Sequence, residues 1–206
     1  MKQTYIKFPL HVIFHPFAGF WDMKFERKGK MTVSMTILAL LVLSTILQKQ
    51  FAGFLVNYVD PRSLNSLDDL QYTVLPFFLF CVANWSITTL MEGEGKFKEI
   101  VMATGYALLP IVLISLPMTF VSRFMTQEET AFYWLMNSLA SLWFLFLLFV
   151  GNMTVHQYTP AKALLTLFLT VIAMAFMVFI GTLAFSLGAQ IYWFIYDVYR
   201  EILFRT

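Results

Sequence analysis

The chain has 206 residues, of which 59% are hydrophobic and only 13% are charged. A soluble domain carries about 45–50% apolar and about 25% charged residues, so this composition excludes a soluble protein and predicts an integral membrane protein whose first partner is the lipid bilayer. A net charge of +2 excludes the basic balance of nucleic-acid-binding proteins, and a single cysteine, Cys81, excludes an internal disulfide.

Residues 1–30 form a leader in which cationic and aromatic side chains alternate. The leader lacks the compact apolar core of a signal peptide, and Pro9 and Pro16 are expected to interrupt any long helix. The mixture is typical of segments at the level of the lipid headgroups, so we expect residues 1–30 to be interfacial. The cationic residues are Lys2, Lys7, Lys24, Arg27, Lys28 and Lys30, and the aromatic ones are Phe8, Phe14, Phe17, Phe20, Trp21 and Phe25.

Five charge-free apolar runs follow the leader. A charged residue at the bilayer centre costs about 2.5–3.5 kcal/mol, so each run predicts a transmembrane helix. The predicted fold class is therefore an all-α integral membrane protein, with a five-span membrane domain at residues 31–190. The predicted spans are residues 31–47, 70–91, 100–122, 131–152 and 163–188.

Lysine and arginine are distributed unevenly between the two sides of the predicted bundle, and the cytoplasmic side normally carries the excess. This bias predicts a protein of the plasma membrane with a cytoplasmic N-terminus and, after five spans, a C-terminus outside. The inner side would hold the six cationic leader residues with Lys96, Lys98 and Lys162, and the outer side Lys49, Arg62, Arg123, Arg200 and Arg205.

Residues 191–206 predict an amphipathic helix on the outer side, which we call the tail. Its apolar residues recur at helical spacing, and its charged residues are largely turned away from them. Two interpretations stay open: the helix rests on the outer leaflet, or its apolar stripe docks on a partner protein. The stripe consists of Ile191, Phe194, Ile195, Val198 and Ile202.

The predicted spans contain few residues that could catalyse a reaction or bind a cofactor. None of the five runs contains Asp, Glu, Lys or Arg, and the chain has no nucleophile or nucleotide-binding motif, so we expect neither an enzyme nor a cofactor. His11 and His15 are four residues apart and could form a metal pair, but without a third ligand nearby they are better interpreted as interfacial, and no metal site is expected. His156 is expected in a short inner loop, where a histidine is usually solvated or hydrogen-bonded to the backbone.

Asparagines and prolines are the informative residues inside the spans. Asn84, Asn137 and Asn152 each need a hydrogen-bonding partner in hydrocarbon, so they are expected to join helices, or else to bind a substrate. Three prolines are expected to break the second and third helices. These prolines are Pro76, Pro110 and Pro117.

A short loop between the second and third spans, EGEGKFKEI, starts at Glu92. Gly93 and Gly95 predict a tight turn with positive φ. The segment EGEGKFKEIVMATGYALLPIVL, with this loop followed by Tyr106 and Pro110, resembles the Yip family of Ypt/Rab-interacting multi-pass membrane proteins, especially its bacterial branch. The leader segment HPFAGFWDMKFERKGK is also typical of that branch.

This resemblance implies a non-enzymatic protein. Eukaryotic members bind small GTPases through a long cytoplasmic N-terminus, which the short basic leader does not match, whereas bacterial members resemble accessory partners of other membrane machines. We therefore expect a scaffold or accessory subunit that associates with another integral membrane complex, with the permease subunits of an ABC-type importer as the candidate partner. The alternative is a small stand-alone transporter or channel, with Asn84, Asn137 and Asn152 lining a pore.

Overall fold

The computed structural model describes residues 3–60 and 64–205, and all regular secondary structure in these two ranges is helical. Lys2, Arg62 and Thr206, which belong to the predicted leader, outer loop and tail, lie outside the described residues. The helices are α1 (Gln3–Phe14), α2 (Pro16–Lys24), α3 (Met31–Phe51), α4 (Ser66–Leu90), α5 (Phe97–Ala107), α6 (Leu109–Val121), α7 (Thr130–His156) and α8 (Pro160–Arg205).

Within the described residues, five helical stretches are long and apolar enough to cross a membrane: α3, α4, α5 together with α6, α7, and α8. This confirms the predicted all-α membrane architecture with five spans. Most of the helices extend past the charge-free runs at one end or both, because polar ends can reach the interface. α4, for example, begins at Ser66 with Asn65 as its N-cap, and the Asn65 side chain accepts a hydrogen bond from the backbone of Leu67.

Only one of the three prolines coincides with a break. Pro110 lies in the first turn of α6, and the third span is interrupted at Leu108 between α5 and α6. Pro76 and Pro117 lie inside α4 and α6, which continue through them, so the expectation that they break these helices is wrong. A proline is tolerated inside a membrane helix where neighbouring groups support the backbone on both sides.

The third span is the centre of the bundle. Of the 18 consecutive residues that are most apolar in this span, 72% are buried, against 17–39% in the corresponding stretches of the other four spans. α5 packs against α3, α4 and α7. Gly105 makes the crossing with α3 possible, because a Cβ there would collide with the side chain of Ser34. The Ser34 hydroxyl donates to the carbonyl of Val101 at 2.9 Å and so ties the two helices together.

The leader is folded into the core of the bundle. α1 and α2 form a hairpin whose helices touch where Gly19 meets Val12, and they approach so closely that a Cβ on Gly19 would lie 2.7 Å from Val12 Cα. α2 runs along α7, from the ring pair Phe17–Phe146 at 6.4 Å to the bond between Lys24 and Val155. The interfacial location stays a prediction. What the sequence did not predict is that this segment buries Val12 and Phe20 completely.

α8 is a single helix of 46 residues, so no break separates the predicted fifth span from the predicted tail. Its first part packs against α4 and α7. Ala163, Thr166 and Thr170 are fully buried on that face. After Met177 all residues up to 204 are exposed, apart from a half-buried Ala189. The outer part of α8 therefore leaves the bundle.

Candidate functional site

Four segments of the chain meet at one end of the bundle: the leader, the turn at residues 91–96, the end of α7 and the turn at residues 157–159. We call this cluster the junction, and its side of the bundle the leader side. Lys24 lies at its centre, with only 9% of its side chain exposed. Its ammonium group donates to the carbonyl of Val155 at 2.8 Å and to the carboxylate of Glu94 at 3.2 Å. A cation is favourable there because helix α7 ends at this point.

His156 is buried in the junction, with 2% of its surface exposed, and it is the last residue of α7, so the expectation of a loop position is wrong. Of the two expected environments, solvation is wrong and a hydrogen bond to the backbone is observed. α7 continues to His156 because Val155 and its neighbours are buried, which keeps the last turn helical. The His156 Nδ1 accepts a hydrogen bond from the Gly95 N–H at 3.3 Å, and its ring stacks on Tyr158 at 5.3 Å. A neutral ring that accepts at Nδ1 carries its proton on Nε2, and no described residue is bonded to that atom.

The glycines of the 91–96 turn are required by close packing. Neither Gly93 nor Gly95 has a positive φ, and the left-handed residue is Glu92 with φ 57°, so the predicted reason for these glycines is wrong. A Cβ on Gly93 would lie 2.6 Å from Tyr158 Oη and closer still to His156 Nδ1. A Cβ on Gly95 would lie 2.6 Å from His156 Cε1. The turn lies directly on the imidazole.

Tyr158 closes the junction from the side of α8. Its hydroxyl lies 3.2 Å from the carbonyls of both Thr88 and Met91, and it donates to these groups at the end of α4. Burial, and to a lesser degree the charge of Glu92, raise the pKa of the Tyr158 phenol above its usual value of 10. The phenol therefore remains protonated and keeps its role as a donor, and Lys162 packs over its ring at 4.6 Å.

Two of the three span asparagines meet directly above the junction. Asn84 donates through Nδ2 to Asn152 Oδ1 and to Thr170 Oγ1, both at 3.2 Å. Asn152 donates to Thr166 Oγ1 at 3.0 Å. These bonds join α4, α7 and α8 in the buried interior. A cavity of about 10 Å³ lies between Asn84, Asn152 and His156, a volume close to the minimum for one water molecule.

Asn137 belongs to a different part of the bundle. Its side chain accepts from the Ser115 hydroxyl at 3.3 Å and donates to the carbonyl of Tyr133 at 2.9 Å. The sequence-based alternative of a pore requires Asn84, Asn137 and Asn152 to line one passage. The structure brings only Asn84 and Asn152 together, because Asn137 lies towards the opposite end of α7 and bonds within α7 and to α6.

Tyr106 and Pro110, the residues of the family resemblance, organise the third span. The Tyr106 hydroxyl accepts a hydrogen bond from the Lys30 N–H at 3.2 Å, at the start of α3. The ring of Phe8 packs edge-on against the Tyr106 ring at 5.6 Å. Tyr106 thus joins α1, α3 and α5, while Pro110 begins the helix after the break.

The predicted tail stripe lies far from the junction along α8. All five stripe residues are exposed by between 42% and 69%, and the side chains on the opposite side of the helix are exposed as well. The stripe residues are Ile191, Phe194, Ile195, Val198 and Ile202.

The two histidines of the leader lie side by side: the rings of His11 and His15 stack at 5.1 Å. Within residues 3–60 and 64–205 no group of three His, Cys, Asp or Glu side chains is arranged to hold a metal ion.

Comparison with known families identifies the domain. The model of the Yip1 domain matches residues 10–183, a range that runs from α1 through the junction and into α8. Neither curated protein sequences nor solved structures contain a significant match to the chain. The matched range ends before the tail, so the stripe of exposed apolar residues lies beyond the family domain.

Proposed function

This chain belongs to the Yip1 domain family, and we propose that it is a non-enzymatic scaffold or accessory subunit that binds another integral membrane protein through the outer part of α8. One observation carries this proposal: α8 continues as an apolar helix after it has left its own bundle. At 1.5 Å per residue its 46 residues are about 69 Å long. The hydrocarbon core of a bilayer is about 30 Å thick.

The contacts of α8 support a docking role for its outer part, which we define as residues 178–205. This part is about 42 Å long at 1.5 Å per residue, so it extends beyond the hydrocarbon even if its first turns are embedded. Its exposed side chains include Phe185, Phe194 and Phe204 at 81%, 69% and 80%. Large contiguous apolar surfaces outside the bilayer usually mark interaction sites. An apolar helix of a membrane partner would cover this surface.

The finer parts of the proposal concern the partner and the orientation. We propose the permease subunits of an ABC-type importer as the partner, on the resemblance to bacterial Yip proteins. We also propose that the leader side is cytoplasmic in the plasma membrane, because Lys96 and Lys162 lie on the same side as Lys24 of the leader, and cytoplasmic flanks carry the excess of lysine and arginine. A reporter fused to the chain truncated after Gly95 should then be active in the cytoplasm, and a reporter fused after Thr206 should be active outside; activity of both on one side would contradict this orientation.

A paired substitution tests the docking role. Phe194→Ser with Val198→Ser removes part of the stripe and keeps the aromatic residues expected to anchor the tail at the interface, Tyr192, Trp193 and Tyr196. A matched control, Arg200→Ser with Phe204→Ser, alters the opposite side of the same helix. Affinity purification in mild detergent should recover the same membrane protein with the wild type and the control, and at least tenfold less with the test variant. Equal recovery with all three would overturn the proposal.

A further inference from the structure

A groove of about 440 Å³ lies on the side of the bundle formed by α1, α3 and α6. Its volume lies within the about 300–1,000 Å³ of typical small-molecule sites. Along α3 it extends from Thr32 to Leu40, about 12 Å at 1.5 Å per residue. Leu10 of α1 and Leu113 of α6 also line it. The groove is therefore elongated: it begins near the leader side and runs along the membrane helix α3.

The walls of the groove are apolar and face outward. Leu10, Leu40 and Leu113 are exposed by 38%, 37% and 47%. The hydroxyl of Thr36 donates to the carbonyl of Thr32 at 2.8 Å, so this polar group is satisfied within α3. Because α3 and α6 are membrane-spanning, the groove opens to lipid. Its shape and polarity fit one acyl chain.

The end of the groove on the leader side is cationic. Lys7 precedes Leu10 by three residues, so both lie on neighbouring positions of one face of α1. Lys30 directly precedes α3. Tyr106 brings these two segments together, since it bonds to the Lys30 N–H and packs against Phe8. Both lysines therefore belong to the segments that line the groove at this end, where a headgroup would follow the acyl chain.

The leader as a whole carries an excess of positive charge. Its sequence contains six lysine and arginine residues but only two acidic residues, Asp22 and Glu26. Both of these carboxylates form ion pairs with Lys28, with Asp22 at 2.8 Å. Their hydrogen bonds raise the pKa of Lys28 above its usual value. Six cations against two carboxylates leave the leader with a positive net charge, which favours a negatively charged headgroup beside it.

We propose that the groove is a binding site for an anionic glycerophospholipid of the leaflet on the leader side, with one acyl chain between α1, α3 and α6 and the phosphate near Lys7 and Lys30. Binding at this site would hold the leader hairpin against α3. The proposal is independent of the docking role of α8, because the groove and the outer part of α8 share no residues.

Photolabelling tests the site directly. The intact protein in phosphatidylcholine nanodiscs is exposed to phosphatidylglycerol that carries a diazirine on its acyl chain, and the labelled peptides are mapped by mass spectrometry. We expect saturable labelling of α3 between Thr32 and Leu40. Unlabelled phosphatidylglycerol should compete at least tenfold better than phosphatidylcholine. Labelling spread over all spans, with equal competition by both lipids, would show ordinary boundary lipid and overturn the proposal.

Two sets of variants separate the acyl and the headgroup contacts. Thr36→Phe fills the groove and should reduce labelling at least fivefold, whereas Thr89→Phe, a threonine with the same bond to its own helix on an exposed face, should not. If Thr36→Phe does not fold, Leu113→Phe narrows the same groove from α6. Lys7→Gln with Lys30→Gln should abolish the preference for phosphatidylglycerol; a retained preference would contradict the proposed headgroup site.

Discussion

Replacing Gly95 by alanine is expected to destabilise the junction, because the new methyl group has no space. A Cβ at this position would lie 2.6 Å from both His156 Cε1 and Val155 Cγ1. Neither atom is the end of a long flexible side chain: the imidazole is stacked on Tyr158, and Val155 is buried in the last turn of α7. The 91–96 turn must therefore move away from α7 to accept the methyl group.

The expected cost follows from two contributions. Overpacking of a well-packed site costs about 1–3 kcal/mol. Moving the turn also weakens the hydrogen bond from the Gly95 N–H to His156 Nδ1, which is worth about 1 kcal/mol. We therefore expect Gly95→Ala to lower the free energy of unfolding by about 2–4 kcal/mol. Gly93→Ala should have a similar effect, since its Cβ would meet the same imidazole.

Reversible unfolding in mixed micelles of dodecylmaltoside and SDS measures this change. Glu92→Gly is the matched control in the same turn. Glu92 has the left-handed φ of 57°, a conformation that costs a non-glycine residue about 1–2 kcal/mol, so glycine there should be neutral or stabilising. In a double-mutant cycle, His156→Ala should reduce the effect of Gly95→Ala by about 1 kcal/mol or more, because it removes one of the two clashing groups.

The opposite pattern would refute this reasoning. A Gly95→Ala variant within about 0.5 kcal/mol of the wild type would mean that the turn does not lie on the imidazole. An unchanged effect of Gly95→Ala in the His156→Ala background would leave the clash unsupported.

Three further substitutions test the contacts that hold the helices together. Asn84→Leu should lower the free energy of unfolding by about 1–2 kcal/mol in the same assay, because it leaves the Oδ1 of Asn152 without its donor; no loss would contradict the buried amide pair. Tyr158→Phe should lower it by about 1 kcal/mol, and an unchanged midpoint would show that the hydroxyl does not close the end of α4. Asp69→Ala leaves Lys49 without its ion-pair partner and should cost about 2 kcal/mol at low salt; a loss below about 0.5 kcal/mol would place this pair among the negligible surface pairs.

The spans could be predicted because membrane insertion depends on composition along the chain. A run without Asp, Glu, Lys or Arg is visible in the sequence, and α3, α4, α5 with α6, α7 and α8 each match one of the predicted runs to within a few residues. A helix break near Pro110 could also be predicted, because proline lacks the backbone N–H that a continuing helix requires. Whether a given proline breaks its helix depends on packing, and this is why Pro76 and Pro117 do not.

The junction could not be predicted, because its contacts join residues that are distant in sequence. Gly95 and His156 are separated by 61 positions, and Lys24 and Val155 by 131. His156 lies in a polar segment that resembles a loop in sequence, and it is helical because Val155 and His156 itself are buried against the bundle. Gly93 and Gly95 indicate positions where a side chain is unfavourable. The sequence does not show whether the reason is a backbone with positive φ or close packing against another part of the protein.

The leader shows the same limitation. Alternating lysines and aromatic residues are typical of an interfacial segment, and the two prolines hide the helical repeat that places Phe8 with Val12 and Phe20 with Met23. Only packing against α5 and α7 reveals that these residues are buried. Similarly, the continuous helix through residues 188–191 could not be predicted from composition, because a transmembrane span of ordinary length ends before that point.

Site-specific photocrosslinking from the tail in intact membranes tests the central claim, that the outer part of α8 binds a membrane partner. Benzoylphenylalanine at position 194 is compared with the same group in place of Leu164, which is 65% exposed near the other end of α8. We expect a discrete adduct with an integral membrane protein from position 194 and none from position 164. Only lipid adducts from both positions would contradict the claim.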